Sequence, residues 1–203
     1  MRAGRLRAFW AAAAMTAVLL PAAGCTADPS SEPQQTESVP FAGCASLTAP
    51  PAGTAVASPA VAATPLPGLR LPCFAGGTPI DVRALRGPAV INFWAGWCPP
   101  CREELPALQR LADQSAGRLH VVGVNTADDR GRALSVAEDL GLDFPQLVDP
   151  DRRFLRSVQR TALPLTIFVD DSGDMRLLHQ ESVLDDAMLA RLVEQELRVA
   201  VAR

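Results

Sequence analysis

The order of apolar runs in this sequence predicts an α/β sandwich, with a mixed central β-sheet flanked by helices. Two near-continuous β-branched and aromatic runs, at 89–94 and 119–125, read as strands covered on both faces. Each is followed by a helical pattern, at 98–115 and 130–140. Two further runs, around Asp171-Ser172-Gly173, add an antiparallel hairpin to that strand–helix alternation.

Residues 1–24 read as a secretory signal. Met1 to Arg7 is a basic n-region, Ala8 to Leu20 an apolar h-region, and Pro21-Ala22-Ala23-Gly24 a small-residue approach to Cys25. An apolar run of that length reaches only about 20 Å, short of the roughly 30 Å hydrocarbon layer, so cleavage is expected rather than a span. Ala23-Gly24-Cys25 resembles a bacterial lipobox, which makes Cys25 the expected lipid attachment site. Ordinary cleavage nearby and an uncleaved anchor are the alternatives.

Residues 25–64 are rich in Pro, Ala, Ser and Thr and poor in large apolar side chains. Such a composition buries too little surface to offset its ordering entropy, so it is expected to be a tether. As a flexible coil it would reach roughly 35 Å, holding the domain near the membrane. Cys44 and Cys73 interrupt this picture. An exported location permits a structural disulfide between them, worth about 3 to 4 kcal/mol by the chain-entropy estimate. Two separate thiols, or a second exchangeable pair, are the other readings.

The domain is expected over 65–203. Leu69 to Phe74 and Thr78 to Val82 form a short N-terminal β-hairpin about Gly76-Gly77. Ala89 to Trp94 is the central strand, Cys98 to Ser115 a helix that Pro106 should kink. Leu119 to Asn125 is a second buried strand, and Arg130 to Leu140 a helix stopped by Gly141. Gln146 to Val148 is a brief strand before a short helix at 151–158. Leu165 to Asp170 and Met175 to Gln180 are the hairpin strands. Leu184 to Ala200 closes the chain as an amphipathic helix capped by Asp185 or Asp186.

The chemistry is carried by Trp97-Cys98-Pro99-Pro100-Cys101, where the central strand gives way to a helix. Cysteine attacks disulfides as its thiolate, and a helix N-terminus offers unpaired N–H groups and the positive end of the dipole. Cys98 sits at that edge. Pro99 and Pro100 have no N–H to donate, so the expected donor to the Cys98 sulfur is the backbone of Cys101. Cys101, one turn further in, fits the resolving role. Half of a zinc site and a plain structural disulfide are the bland alternatives. No spacing of His120, His179 or the other cysteines completes four ligands, and a four-residue loop gains little from closure.

Asn92-Phe93-Trp94-Ala95, then Trp97-Cys98-Pro99-Pro100-Cys101-Arg102 and Glu104-x-Pro106, resemble the TlpA/ResA-type branch of the thioredoxin-like family. The similarity continues through Val121 to Asn125, Phe144-Pro145, Asp149, Leu163 to Asp170 and Gly173. It covers most of residues 66–203. The resemblance implies a thioredoxin-like sandwich and a membrane-anchored extracytoplasmic thiol-disulfide oxidoreductase, with Cys98 and Cys101 as its catalytic pair. Pro164 matches the family's cis-proline, so the Leu163 backbone would pair with an extended substrate segment. Trp97 would form a substrate-facing rim, whereas Trp94 is expected in the core. Neither a cofactor nor a metal is called for.

Asn92 stands where cytoplasmic thioredoxins carry a buried carboxylate, which leaves the proton acceptor for Cys101 open. Glu103 and Glu104 are expected to be solvated or capping groups, and His120 and His179 structural. No His lies between the cysteines, unlike the strongly oxidising exported relatives, which favours a reducing pair. Arg102 would pull the other way. The resemblance implies exported proteins as substrates, cytochrome c maturation as the setting, and a membrane thiol-disulfide carrier as electron partner. A disulfide-forming oxidase is the main alternative. A thiol peroxidase would want Thr at position 95, which is Ala, and a metallochaperone would want C-x-x-x-C and a His ligand.

All 19 basic residues are Arg, against 22 acids, giving a net charge of −3. Removal of residues 1–24 takes away three arginines and leaves the chain more acidic. That balance argues against nucleic acid as a partner.

Overall fold

The computed structural model describes residues 39–52 and 64–201. Eight strands and four α-helices follow in chain order: β1 Thr64–Pro65, β2 Arg70–Leu71, β3 Ile80–Asp81, β4 Ala89–Trp94, α1 Pro99–Ser115, β5 His120–Thr126, α2 Arg130–Leu140, β6 Gln146–Asp149, α3 Arg153–Ser157, β7 Leu165–Val169, β8 Asp174–His179 and α4 Asp186–Leu192. One sheet has the order β1-β8-β7-β4-β5-β6; β2 and β3 pair separately as a short hairpin. β4, β5 and β6 run parallel, and β7 is antiparallel to β4. The sheet is therefore mixed, and the fold is the thioredoxin-like sandwich.

β4 is buried along its whole length because both faces of the sheet are covered. Alternation sorts its side chains. Val90 and Trp94 join the core beneath α1 and α4, and Ile91 and Phe93 join the core on the opposite face. Asn92 lies on the α1 side, the one polar residue of that row. α2 stops at Gly141, whose left-handed φ of 64° only glycine adopts without penalty.

Three expectations differ from the structure. Pro40 to Ala52 lies inside the stretch read as tether, yet Phe41, Cys44 and Leu47 are buried there. A 3₁₀ turn, Ala45–Thr48, seats Leu47 in the far-face core, and Phe41 meets Phe74 edge to face at 4.9 Å. Two isolated anchors and a disulfide hold a segment whose composition alone would leave it loose. Cys44 and Cys73 are joined, 5.9 Å apart at Cα. The closing helix is shorter than 184–200: α4 passes into one π-helical turn, Val193–Leu197, and ends where Arg198 turns left-handed and donates its N–H to Glu194. β1 was not foreseen. Thr64 pairs with Met175, a two-residue contact too short for any periodicity to announce.

Residues 1–24, Cys25 and the remaining parts of the expected tether lie outside the described residues. Among the described residues no helix is long and apolar enough to cross a membrane.

Candidate active site

Register decides which loops meet. Trp94 is level with Asn125 of β5, Thr126 with Asp149 of β6, and Phe93 with Leu165 of β7. The segments beginning at residues 95, 127 and 150, and the one ending at Pro164, therefore emerge at one edge of the sheet. Cys98, Cys101, Trp97, Leu163 and Pro164 belong to that edge. Cys44 and Cys73 do not: they pack in the core of the opposite sheet face, where Cys73 bridges to Leu147.

Cys98 is the N-cap of α1, with extended backbone, and its Sγ accepts the Cys101 N–H at 3.3 Å. Pro99 and Pro100 occupy the first helical positions and offer no competing donor. The two sulfurs are bonded, with the Cα atoms 5.3 Å apart. Cys101 is fully buried and Cys98 is 3% exposed, whereas Trp97 beside it is 44% exposed. The nucleophile candidate thus meets solvent by a narrow opening rimmed by an aromatic ring.

The turn carrying Cys98 is held from the β5–α2 loop. Gly96 N–H donates to Asp128 Oδ2 at 2.6 Å, and Asn125 Nδ2 donates to the same oxygen at 3.0 Å. A Cβ on Gly96 would lie 2.8 Å from Arg132 Cγ, so this approach requires glycine. Trp97 Nε1–H donates to the Ala127 carbonyl at 2.9 Å, and the Arg152 guanidinium lies 5.9 Å from the indole. The Leu163–Pro164 bond is cis, and Leu163 packs against both cores. Trp94 is fully buried, its indole N–H donating to Gln146 Oε1 at 2.8 Å.

Glu104 corrects the sequence reading. It is 1% exposed rather than solvated. Asn92 Nδ2 donates to its Oε1 at 2.5 Å and to Thr166 Oγ1 at 3.0 Å, and Leu184 N–H donates to its Oε2 at 3.3 Å. Burial pushes its carboxyl up to about 7, against the lowering effect of those two donors to it. A signal for this was present. Cys101, Leu105, Leu108 and Leu111 mark an apolar stripe at helical spacing, and Glu104 falls on it. Asn92 Oδ1 is buried without a partner. A protonated Glu104 would donate to an amide oxygen rather than accept from the amide nitrogen, so a flipped Asn92 would serve that state.

Asp149, named in the sequence only as part of the family resemblance, has a role that was not read there. Fully buried, it accepts the backbone N–H groups of Arg153, Phe154 and Leu155 at the start of α3. Its charge is spent on the helix end. Ala95 is buried beside the redox turn, and among the described residues no three His, Cys, Asp or Glu side chains form a metal-holding cluster.

A model of the AhpC/TSA family matches residues 62–177. A Thiol:disulfide interchange protein DsbE homolog of Paracoccus denitrificans is 43% identical over 101 residues, covering 48% of this chain and 53% of the relative. Thiol-disulfide oxidoreductase ResA of Bacillus subtilis is 32% identical over 100 residues, covering 48% of this chain and 55% of that one. The chain thus spans little more than half the length of such relatives. A secreted Mycobacterium tuberculosis disulfide oxidoreductase homologous to E. coli DsbE superposes with a TM-score of 0.56 at 25% identity, over 63% of this chain and 96% of the other. With the family pattern running through more than half of the chain, on a frame shared with that solved structure, the protein belongs to the AhpC/TSA family of thioredoxin-like proteins.

Proposed function

We propose that this protein is a membrane-tethered extracytoplasmic thiol-disulfide oxidoreductase whose Cys98/Cys101 pair exchanges with thiols and disulfides of exported proteins. The observation that carries it is the Cys98 sulfur at the N-cap of α1, receiving the Cys101 N–H beside an exposed Trp97. An N–H aimed at sulfur stabilises thiolate more than thiol, which is what a leaving or attacking sulfur needs.

In the reducing direction the Cys98 thiolate attacks one sulfur of a substrate disulfide. A mixed disulfide forms as the substrate S–S bond breaks, and the departing sulfur takes up a proton. Cys101 then gives up its proton and attacks Cys98 Sγ. The Cys98–Cys101 bond forms, the second substrate sulfur leaves as a thiol, and two electrons have passed to the substrate. Glu104, one turn beyond Cys101 and holding a proton affinity near neutral, is the group we assign to take the Cys101 proton. The cis Leu163–Pro164 segment is the edge to which an extended substrate strand would add.

Two prolines between the cysteines, in place of a His, support a reducing pair and a role of cytochrome c maturation type, with a membrane thiol-disulfide carrier returning electrons. Lipid attachment at Cys25 is the anchor this reading requires. A measured potential near that of thioredoxin, about −270 mV, supports reduction; one near −120 mV would make the protein an oxidase. The decisive test is trapping. With Cys101→Ser in the native envelope, Cys98 should accumulate mixed disulfides with exported proteins, cytochrome c precursors among them. Recovery of none during active exchange would sink the proposal.

A further inference from the structure

Four of the 19 arginines, Arg152, Arg153, Arg156 and Arg160, fall within nine residues. The acids nearest in sequence are Asp149 and Asp151. Asp149 is buried and consumed by three backbone N–H groups, and Asp151 is exposed beside the run. On the Trp97 side, Asp128 is paired with Arg132, and Asp129 is exposed but accepts the Arg132 backbone N–H. None of the four arginines forms an ion pair among the described residues. Ion pairs form elsewhere, as at Arg110–Asp186, Arg132–Asp128 and Arg176–Asp170. On a chain of net charge −3 this is a local reversal of sign.

Its position ties it to the redox pair. Arg152 turns left-handed, φ 55°, with its N–H on the Asp149 carbonyl at 3.1 Å, and its guanidinium lies over the Trp97 ring. That ring is itself pinned to Ala127 and adjoins Cys98. Arg160 ends the run three residues before Leu163 in sequence. The run thus leads in sequence from the aromatic rim, where Arg152 lies over Trp97, towards the strand-addition segment. Arg160 Nη1 donates to the Gln159 carbonyl at 3.2 Å, and its guanidinium keeps further donors for a carboxylate.

We propose that this face selects acidic segments: the preferred substrate is an exported protein carrying Asp or Glu beside its reactive cysteine, docked by Arg152 over Trp97 and by Arg160 ahead of Leu163. This deepens the thiol-disulfide reading and rests on it. The rest of the acidic surface repels such a segment, so the one attractive patch would also orient it for Cys98. Exposed charge pairs are individually weak, and the effect is expected mainly in the encounter rate.

Three disulfide-bonded peptides, identical except for Asp, Ser or Arg on either side of each cysteine, test it with the reduced full-length protein in detergent. The expected order of the second-order rate constant for this single exchange is Asp over Ser over Arg, about tenfold between the extremes at low salt and collapsing at high salt. R152Q/R160Q should erase the preference, and R191Q on α4 should keep it. Equal rates for the three peptides, or an acid preference untouched in R152Q/R160Q, would overturn the docking face. No exchange with any peptide would instead overturn the redox reading beneath it.

Discussion

Cys44–Cys73 and Cys98–Cys101 are both buried disulfides, yet they differ in span, in neighbours and in what reaches their sulfurs. The first joins residues 29 apart and the second residues 3 apart. By loop-closure entropy the first is worth roughly 3.5 kcal/mol and the second roughly 2 kcal/mol. The first fastens the segment of Leu47 to the far-face core, while Phe41 of the same segment packs in the core beneath α1. The second has a helix N-terminus at one sulfur, an exposed ring beside it and a titratable carboxyl one turn on. A long loop and a dry, apolar setting make a staple. A short loop and polar neighbours make a bond whose breaking costs the fold little.

The largest effect follows from breaking each bond in turn. Cys98→Ala should lower exchange with a disulfide peptide by a thousandfold or more, about 4 kcal/mol of barrier, because the thiol left at that edge, Cys101, is fully buried. The paired change Cys44→Ser with Cys73→Ser should leave that rate within about twofold while lowering unfolding free energy by about 3 to 4 kcal/mol in denaturant titration. If the double variant lost exchange instead, the staple would be part of the redox path.

The same contrast marks how much was legible in the sequence. β4, the redox turn and α2 stood out because each couples a strong periodicity to a punctuating residue: an apolar run into Cys98, a helical stripe into Gly141. The segment around Phe41, Cys44 and Leu47 did not, since its apolar residues are solitary and find their partners far along the chain, at Phe74 and Cys73. Glu104 was misread for a related reason. Its burial is set by α1 lying over Asn92 and against Leu184, contacts of tertiary origin that overrode a surface prior. The four arginines at 152–160 carry no motif or periodicity to mark them, and only the fold brings Arg152 to Trp97.

Glu104 gives a smaller effect with a sign. Its carboxyl is raised from 4.5 to about 7 in the folded protein, so the native state holds a proton that the unfolded chain releases. Stability from this group is fully present below pH 4.5 and is lost as pH rises through about 7, by up to about 3 kcal/mol. Glu104→Gln should abolish that slope: relative to the variant, the wild type should weaken between those pH values and then level off. Parallel stability profiles for the two proteins would show that Glu104 does not titrate in this window. A change in the pH dependence of Cys101 closure, measured on a preformed mixed disulfide, would separate proton transfer from mere packing.

The smallest effect is expected at the rim. Trp97→Phe removes one hydrogen bond, to the Ala127 carbonyl, and keeps an aromatic face for Arg152. Because the ring is 44% exposed, water replaces the lost donor, and the cost should be about 1 kcal/mol or less. That is a fraction of what the staple contributes, although Trp97 adjoins the reacting sulfur and Cys44 lies on the other side of the sheet. A loss above about 2 kcal/mol in denaturant titration would mean that the redox turn is integrated into the core as tightly as the staple. The edge would then have to open as part of a larger unit for each exchange, and the separation between a stable half and an exchangeable half would fail.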